Sequence, residues 1–301
     1  MIYLKEFYMP AKEEYENTES FYPFNVFSDK DIKNIDFDDI TIFYGSNGSG
    51  KSTLLNIIIK DLNKKQEVIK AARVKTDEIE KPIYESFRSV DIDNFVDHCY
   101  SEVINKIPIG SELISSEDIF NYILQKRIDN NRKEIERKKL DDDYWYANST
   151  RPDAPKLRDF QNDMDKYLEI VRLRKAKSSK KLIESRIEKN EMELSNGQTS
   201  LDYYNERLKE NTLYFLDEPE NSLAPEYQME LVKLIIEMTR FFKCQFVIAT
   251  HSPFILALPN ARVYDLDTTT VPVRKWYELD NMKIYYNFFK NYKNEFESNN
   301  E

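Results

Sequence analysis

Gly45, Ser46, Asn47, Gly48, Ser49, Gly50, Lys51 and Ser52 fit the pattern G-x-x-x-x-G-K-[ST], whose residue types describe a loop that holds phosphate. Glycines let the backbone curl until several N–H groups point at one anion, and a helix starting there adds its positive end. Lys51 can then reach the β- and γ-phosphates, while the Ser52 hydroxyl can sit on Mg²⁺. The order of elements agrees with this chemistry. The β-rich apolar run Ile40–Tyr44 precedes the loop, and the helix-like stretch opening at Thr53 follows it. Glycine is concentrated where this chemistry needs it, since the whole chain has only 5. The chain is expected to bind a nucleoside triphosphate.

A second cluster supplies carboxylates. Thr212–Leu216 is a continuous apolar run ending in Asp217, Glu218, Pro219 and Glu220. Such a run reads as a parallel strand buried on both faces. Carboxylates at its C-terminal end lie beside a phosphate loop on the neighbouring strand. Asp217 is placed to hold Mg²⁺, and Glu218 to orient or deprotonate the attacking water. A third apolar run, Phe246–Thr250, ends at His251, one of only 2 histidines. At a strand's end that imidazole would face the same crevice and could contact the γ-phosphate. Further upstream stand Leu194, Ser195, Asn196, Gly197 and Gln198. Ser195 and Gln198 also read as a capping box opening a helix over Thr199–Leu208. The two readings are compatible, because a capped helix N-terminus is itself an anion site.

Together these segments resemble the ABC-type ATPases, most closely the soluble branch of SMC, RecF and OLD-like ATPases. The resemblance covers roughly residues 1–60 and 194–270, with Leu194–Gln198 matching the LSGGQ signature except for Asn196. It implies an α/β P-loop NTPase of the ABC type, with a mostly parallel sheet, an antiparallel N-terminal portion and a helical insertion. The core would comprise 1–60 and 194–301, and the charged insertion 61–193. It implies ATP and Mg²⁺ as ligands. Gly45 through Thr53 would bind nucleotide, Ser52 and Asp217 the metal, and Lys51, Glu218 and His251 would act in hydrolysis. Ser195 and Gly197 of a second copy would close each ATP, giving a two-fold homodimer. Tyr22, or its neighbour Phe21, is the candidate for stacking on adenine. The resemblance also implies a protein partner or effector, in phage defence or DNA maintenance. An ABC transporter's ATP-binding subunit and a RecF-like repair clamp are the alternatives. The chain departs from the family in two places. It has no evident glutamine loop, for which Ser115–Asp118 is the candidate, and it lacks the aspartate that many transporter ATPases carry after the acidic cluster.

Composition sets the remaining bounds. With 301 residues, 41% hydrophobic and 33% charged, the chain can build one large domain or two small ones with long solvated helices. It has no run of about eighteen apolar residues, so no membrane span is expected, and its N-terminus lacks signal-peptide architecture. Cys99 and Cys244 match no metal spacing and read as free thiols of a cytoplasmic protein. A net charge of −10 excludes a generally basic nucleic-acid binder. Arg172–Lys181, with 6 basic residues and no acid, reads as a solvated face or a nucleic-acid backbone contact.

The elements expected to position these residues are strands Ile2–Phe7, Ile40–Tyr44, Val263–Leu266 and Val271–Trp276. Between residues 60 and 193 the chain reads as mostly helical, longest over Arg127–Leu140 and Gln161–Asn190. The prolines of Asn148–Pro155 break it. A closing helix, Leu279–Phe296, is expected to bury Tyr285, Tyr286, Phe288 and Phe289.

Overall fold

A computed structural model describes residues 1–10, 22–32, 34–66, 70–71, 95–149, 160–187, 196–221 and 223–297. The central sheet is built from the apolar runs. Strands β1 (Leu4–Tyr8), β2 (Asn34–Asp36) and β3 (Ile40–Tyr44) open the chain. They are followed by β4 (Lys70–Ala71), β5 (Tyr100–Val103) and β6 (Glu112–Ser115), then by β7 (Leu213–Asp217), β8 (Gln245–Thr250), β9 (Arg262–Asp265) and β10 (Val273–Arg274). Seven of these form one sheet in the order β10-β9-β3-β8-β7-β6-β4, parallel at each junction except β9 with β10. Every residue of β3 and β8 is buried, as expected of parallel strands covered on both faces. A separate antiparallel sheet has the order β2-β1-β5.

Helix α1 (Phe24–Phe27) precedes the loop and α2 (Lys51–Gln66) follows it. Leu54, Leu55, Ile57, Ile58, Ile59 and Leu62 of α2 are all buried, a spread too wide for a one-sided amphipathic helix. The helix needs that spread because it packs on β7 and β8 of the large sheet and on β5 of the small one. Gln245 ties the two sheets at the far end. Its Oε1 accepts from the Tyr3 and Leu4 N–H groups at 2.8 and 2.9 Å, and its Nε2 donates to the Leu4 and Asp38 carbonyls at 2.8 and 3.1 Å. A fully buried amide with its bonds made in this way joins the sheets without leaving a polar group unpaired.

The described residues divide into two compact bodies, Met1–Asn121 with Asn196–Glu301, and Tyr122–Ser195. Within the stretch 61–121, read from the sequence with the helical insertion, the described residues include three strands, of which β4 and β6 pair in the central sheet and β5 in the smaller one. Short strands in this polar stretch are specified by their partners, β7 for β6, β6 for β4 and β1 for β5, which local composition does not report. The second body is helical. It takes α3 (Ser116–Ser149) from Tyr122 onward, with α4 (Phe160–Lys175) and α5 (Ser179–Arg186). Its small core is Ala147, Leu173 and Leu182, with Leu140 and Ile170 packed alongside. The basic run Arg172–Lys181 spans the end of α4 and the start of α5, and Arg174 donates to the Ala147 carbonyl at 2.7 Å.

In the first body, α6 (Asn196–Arg207), α7 (Pro225–Phe241) and the short α8 (Pro253–Leu256) follow the signature and the two chemistry-bearing strands. The chain closes with α9 (Asp280–Asn291) and α10 (Lys293–Glu297). Here the sequence expectation fails. Tyr285, Tyr286, Phe288 and Phe289 are all exposed, and Met282 is the buried residue of α9. The helical period marks an apolar stripe but not whether anything covers it. Phe288 packs on Phe289 and on Tyr292 just past the helix, with ring centroids 5.5 and 4.9 Å apart, and Lys290 lies over the Tyr286 ring.

Candidate nucleotide site

Four strand ends converge on one edge of the large sheet. The phosphate loop leaves β3 after Tyr44. In register, Tyr44 pairs with Thr250 of β8, Asp217 of β7 with Ala249 of β8, and Ser115 of β6 with Asp217. The loop, the acidic cluster, His251 and the strand-to-helix junction Ser115–Asp118 therefore lie together at the carboxyl ends of the strands, where open α/β sheets take their ligands.

Close approach requires two of the loop's glycines, and backbone conformation the third. A Cβ on Gly45 would stand 2.3 Å from Ser49 Oγ, and one on Gly50 (φ +98°) 2.7 Å from Val26 Cγ1. Gly48 has φ +83°, in the region that penalises side chains. Ser49 Oγ is buried and has no hydrogen-bond partner among the described residues. Lys51, 4% exposed, donates to the Gly45 and Ser46 carbonyls at 2.9 and 3.1 Å and lies 3.5 Å from Glu218 Oε1. Asp267, just past β9, clamps the other side. Its carboxylate accepts from the Ser46 N–H at 2.8 and 3.0 Å and from the Ser46 hydroxyl at 2.8 Å. Tyr22 reaches the loop's far end, where its hydroxyl donates to Thr53 Oγ1 at 3.1 Å.

The Ser52 hydroxyl donates to Asp217 Oδ1 at 2.9 Å. Burial pushes the Asp217 carboxyl up to about 6, with the Glu218 charge adding to the rise and Ser52 and Lys51 opposing it. Two oxygens so placed fit Mg²⁺. That ion prefers hard oxygen ligands, keeps several waters and completes its shell with substrate phosphates. Glu218 adopts φ +48°, uncommon outside glycine. Its N–H donates to the Ala249 carbonyl at 2.9 Å, and its Oε2 accepts from Asn221 Nδ2 at 2.8 Å. The backbone turn and the side-chain bond together fix this carboxylate one residue beyond Asp217.

Ser115 and Asp118, the candidates for the missing glutamine loop, bond each other. The Asp118 carboxylate accepts from the Ser115 N–H at 2.9 Å and hydroxyl at 2.6 Å. Burial raises the Asp118 pKa.

Gly197 lies in the first turn of α6, and a Cβ there would be 2.5 Å from Tyr227 Cδ2 on α7. Close packing within its own chain is thus one reason for this glycine. Leu194 and Ser195, and with them the capping box, lie outside the described residues, as does Phe21. Sequence reasoning missed Asp267 and the role of Glu220. Glu220 is buried and accepts from the Thr250 hydroxyl at 2.7 Å and the His251 N–H at 2.8 Å. Its place in the acidic cluster was visible, but a turn carboxylate announces no such partner 30 residues away.

Comparison with known proteins finds two matching family models. A family model for the ABC transporter matches residues 33–221, and one for the AAA ATPase domain matches residues 200–256. None of the curated proteins matches the chain. Among solved structures, an Smc head domain from Pyrococcus furiosus bound to the C-terminal domain of ScpA is 14% identical. That match covers 96% of this chain and 100% of the other, with a TM-score of 0.41. The SMC head domain from Thermotoga maritima is 12% identical over 88% of this chain and 94% of that one, TM-score 0.38. A nucleotide-free ATP-binding cassette from an ABC transporter is 15% identical over 88% and 87%, TM-score 0.38.

Proposed function

Since this chain belongs to the ABC transporter family of ATPase domains, we propose that it binds ATP with Mg²⁺ and hydrolyses it as a head-to-tail homodimer that drives movement in a partner complex. The observation that carries this reading is the convergence of Lys51, Ser52, Asp217, Glu218 and His251 on one sheet edge.

Lys51 exchanges its two carbonyl partners for the β- and γ-phosphates. Backbone N–H groups from Gly45 to Thr53 supply the rest of the cradle, and Tyr22 lies at its end to meet the adenine. Ser52 and Asp217 hold the Mg²⁺, which when bound neutralises charge that develops on the phosphate oxygens. Glu218 accepts the proton of the attacking water, and His251 contacts the γ-phosphate from the neighbouring strand. Ser195 and the N–H groups near Gly197 of the second copy close the site, so two identical half-sites make a two-fold dimer. Closure depends on the γ-phosphate and is lost on hydrolysis.

The helical part of 61–193 is the element whose movement is the output, and its basic run 172–181 is the place for a nucleic-acid backbone. Phage defence or DNA maintenance is the setting this implies. The family match favours a second reading, the ATP-binding subunit of a membrane transporter, which a co-purifying permease would support.

The test is light scattering with and without ATP on Glu218→Gln, which should form an ATP-dependent dimer with slowed turnover. Adding Ser195→Arg should abolish that dimer while each monomer still binds one ATP. If Ser195 only caps its helix, the variant would lose about 0.5–2 kcal/mol of stability and still dimerise. That result would refute the sandwich.

A further inference from the structure

We infer that Glu220 is a positioning residue for His251, holding the imidazole through Nδ1 so that Nε2 is the nitrogen turned to the crevice. The inference rests on the nucleotide-site reading for its consequence, but its geometry stands alone. The Glu220 side chain is 5% exposed, and His251 Nδ1 lies 3.2 Å from its Oε1. A buried carboxylate must be matched by donors. Oε1 already accepts two hydrogen bonds, from the Thr250 hydroxyl and the His251 N–H. That uses both lone pairs of one oxygen. Glu220 Oε2 and His251 Nδ1 are both buried and have no hydrogen-bond partner among the described residues. A hydrogen on Nδ1 donated to this carboxylate gives both groups the partner that burial demands. The ring as a whole is 42% exposed while Nδ1 is buried, so its accessible part is the remainder.

The main chain around the histidine is already fixed, which leaves ring rotation as the freedom for Glu220 to remove. Thr250 Oγ1 accepts from the Ser252 N–H at 3.0 Å. Ser252 Oγ donates to Gln228 Oε1 at 2.6 Å and accepts from the Phe254 and Ile255 N–H groups at 3.2 and 3.4 Å. Glu220 also belongs to the turn that carries Glu218, where the Asn221 N–H donates to the Glu218 carbonyl at 3.2 Å. One carboxylate thereby links the strand end bearing the base to the strand end bearing the histidine. A hydrogen bond to one ring nitrogen decides which tautomer the other presents. With nucleotide bound, the carboxylate at Nδ1 stabilises the ring once Nε2 has taken a proton from water, the form that donates to a γ-phosphate oxygen. A glutamine amide cannot do this.

The experiment is ¹⁵N NMR of histidine-labelled full-length protein at about pH 8, where an ordinary imidazole is neutral. The chain has only 2 histidines, so His98→Gln assigns the spectrum. His251 is expected as the Nδ1–H tautomer. In Glu220→Gln the amide oxygen keeps the two bonds at the Oε1 position and the NH₂ group takes the Oε2 position. That group can only donate, so His251 should switch to the Nε2–H form. ATP turnover should fall about 10–100-fold, with KM for ATP changed less than about threefold. Glu220→Ala should give mixed tautomers, and if it does not fold the Gln variant decides. An Nε2–H tautomer in the native protein, or a Gln variant with unmoved spectrum and kcat, overturns the inference. A tautomer switch in a protein without ATP turnover would instead refute the ATPase reading and leave the positioning role intact.

Discussion

Asp217→Asn should make the nucleotide-free protein more stable at neutral pH, although it removes a metal ligand. The folded carboxyl is pushed from 3.8 up to about 6. Between those values the native state holds a proton that the unfolded chain has lost, so stability falls as pH rises through this window. Above about pH 6 the full cost is present; below about pH 4 it vanishes. A shift of about 2 units corresponds to about 3 kcal/mol. The asparagine carries no charge, and its carbonyl oxygen can still accept from Ser52, whose present bond is 2.9 Å. Part of the gain is offset by burying the amide, leaving about 2–3 kcal/mol. For a domain of this size that raises Tm by roughly 4–12 °C. The assay is thermal melting in a chelator, without nucleotide, at about pH 7 and about pH 4. The offset should appear at the higher pH only. Adding Mg²⁺ and ATP should narrow or invert it, since only the aspartate binds the complex well. Equal melting at pH 7, or an offset of the same size at both pH values, would refute the reasoning.

Lys51→Ala removes the buried cation of the loop and should weaken ATP binding by roughly 10–150-fold, the equivalent of one charged hydrogen bond of about 1.5–3 kcal/mol. Unchanged affinity by calorimetry would count against the phosphate cradle. Gly197→Ala places a Cβ 2.5 Å from the Tyr227 ring and should cost about 1–3 kcal/mol. Tyr227→Ala should remove that cost when the two changes are combined, as a double-mutant cycle would show; native-like melting of the single variant would mean that α6 and α7 separate freely.

The sequence by itself determined the candidate residues and the strands that carry them. Ile40–Tyr44 was legible to the residue because a strand buried on both faces must be apolar throughout, and the glycines after it have no other use so economical. Asp217, Glu218 and His251 were legible for the same reason, each standing where such a run stops. The tertiary structure decided what local pattern cannot encode. It put β6 beside β7, so that Ser115 lies in register with Asp217, and it left the aromatic face of α9 uncovered. It brought Asp267 across 221 residues to the Ser46 N–H and Glu220 across 31 to the His251 N–H. Apolar patterning reports which face of an element would gain from burial, a non-directional preference written in the local sequence. A hydrogen bond to a carboxylate depends on where two distant strand ends meet, and only the assembled sheet brings them together.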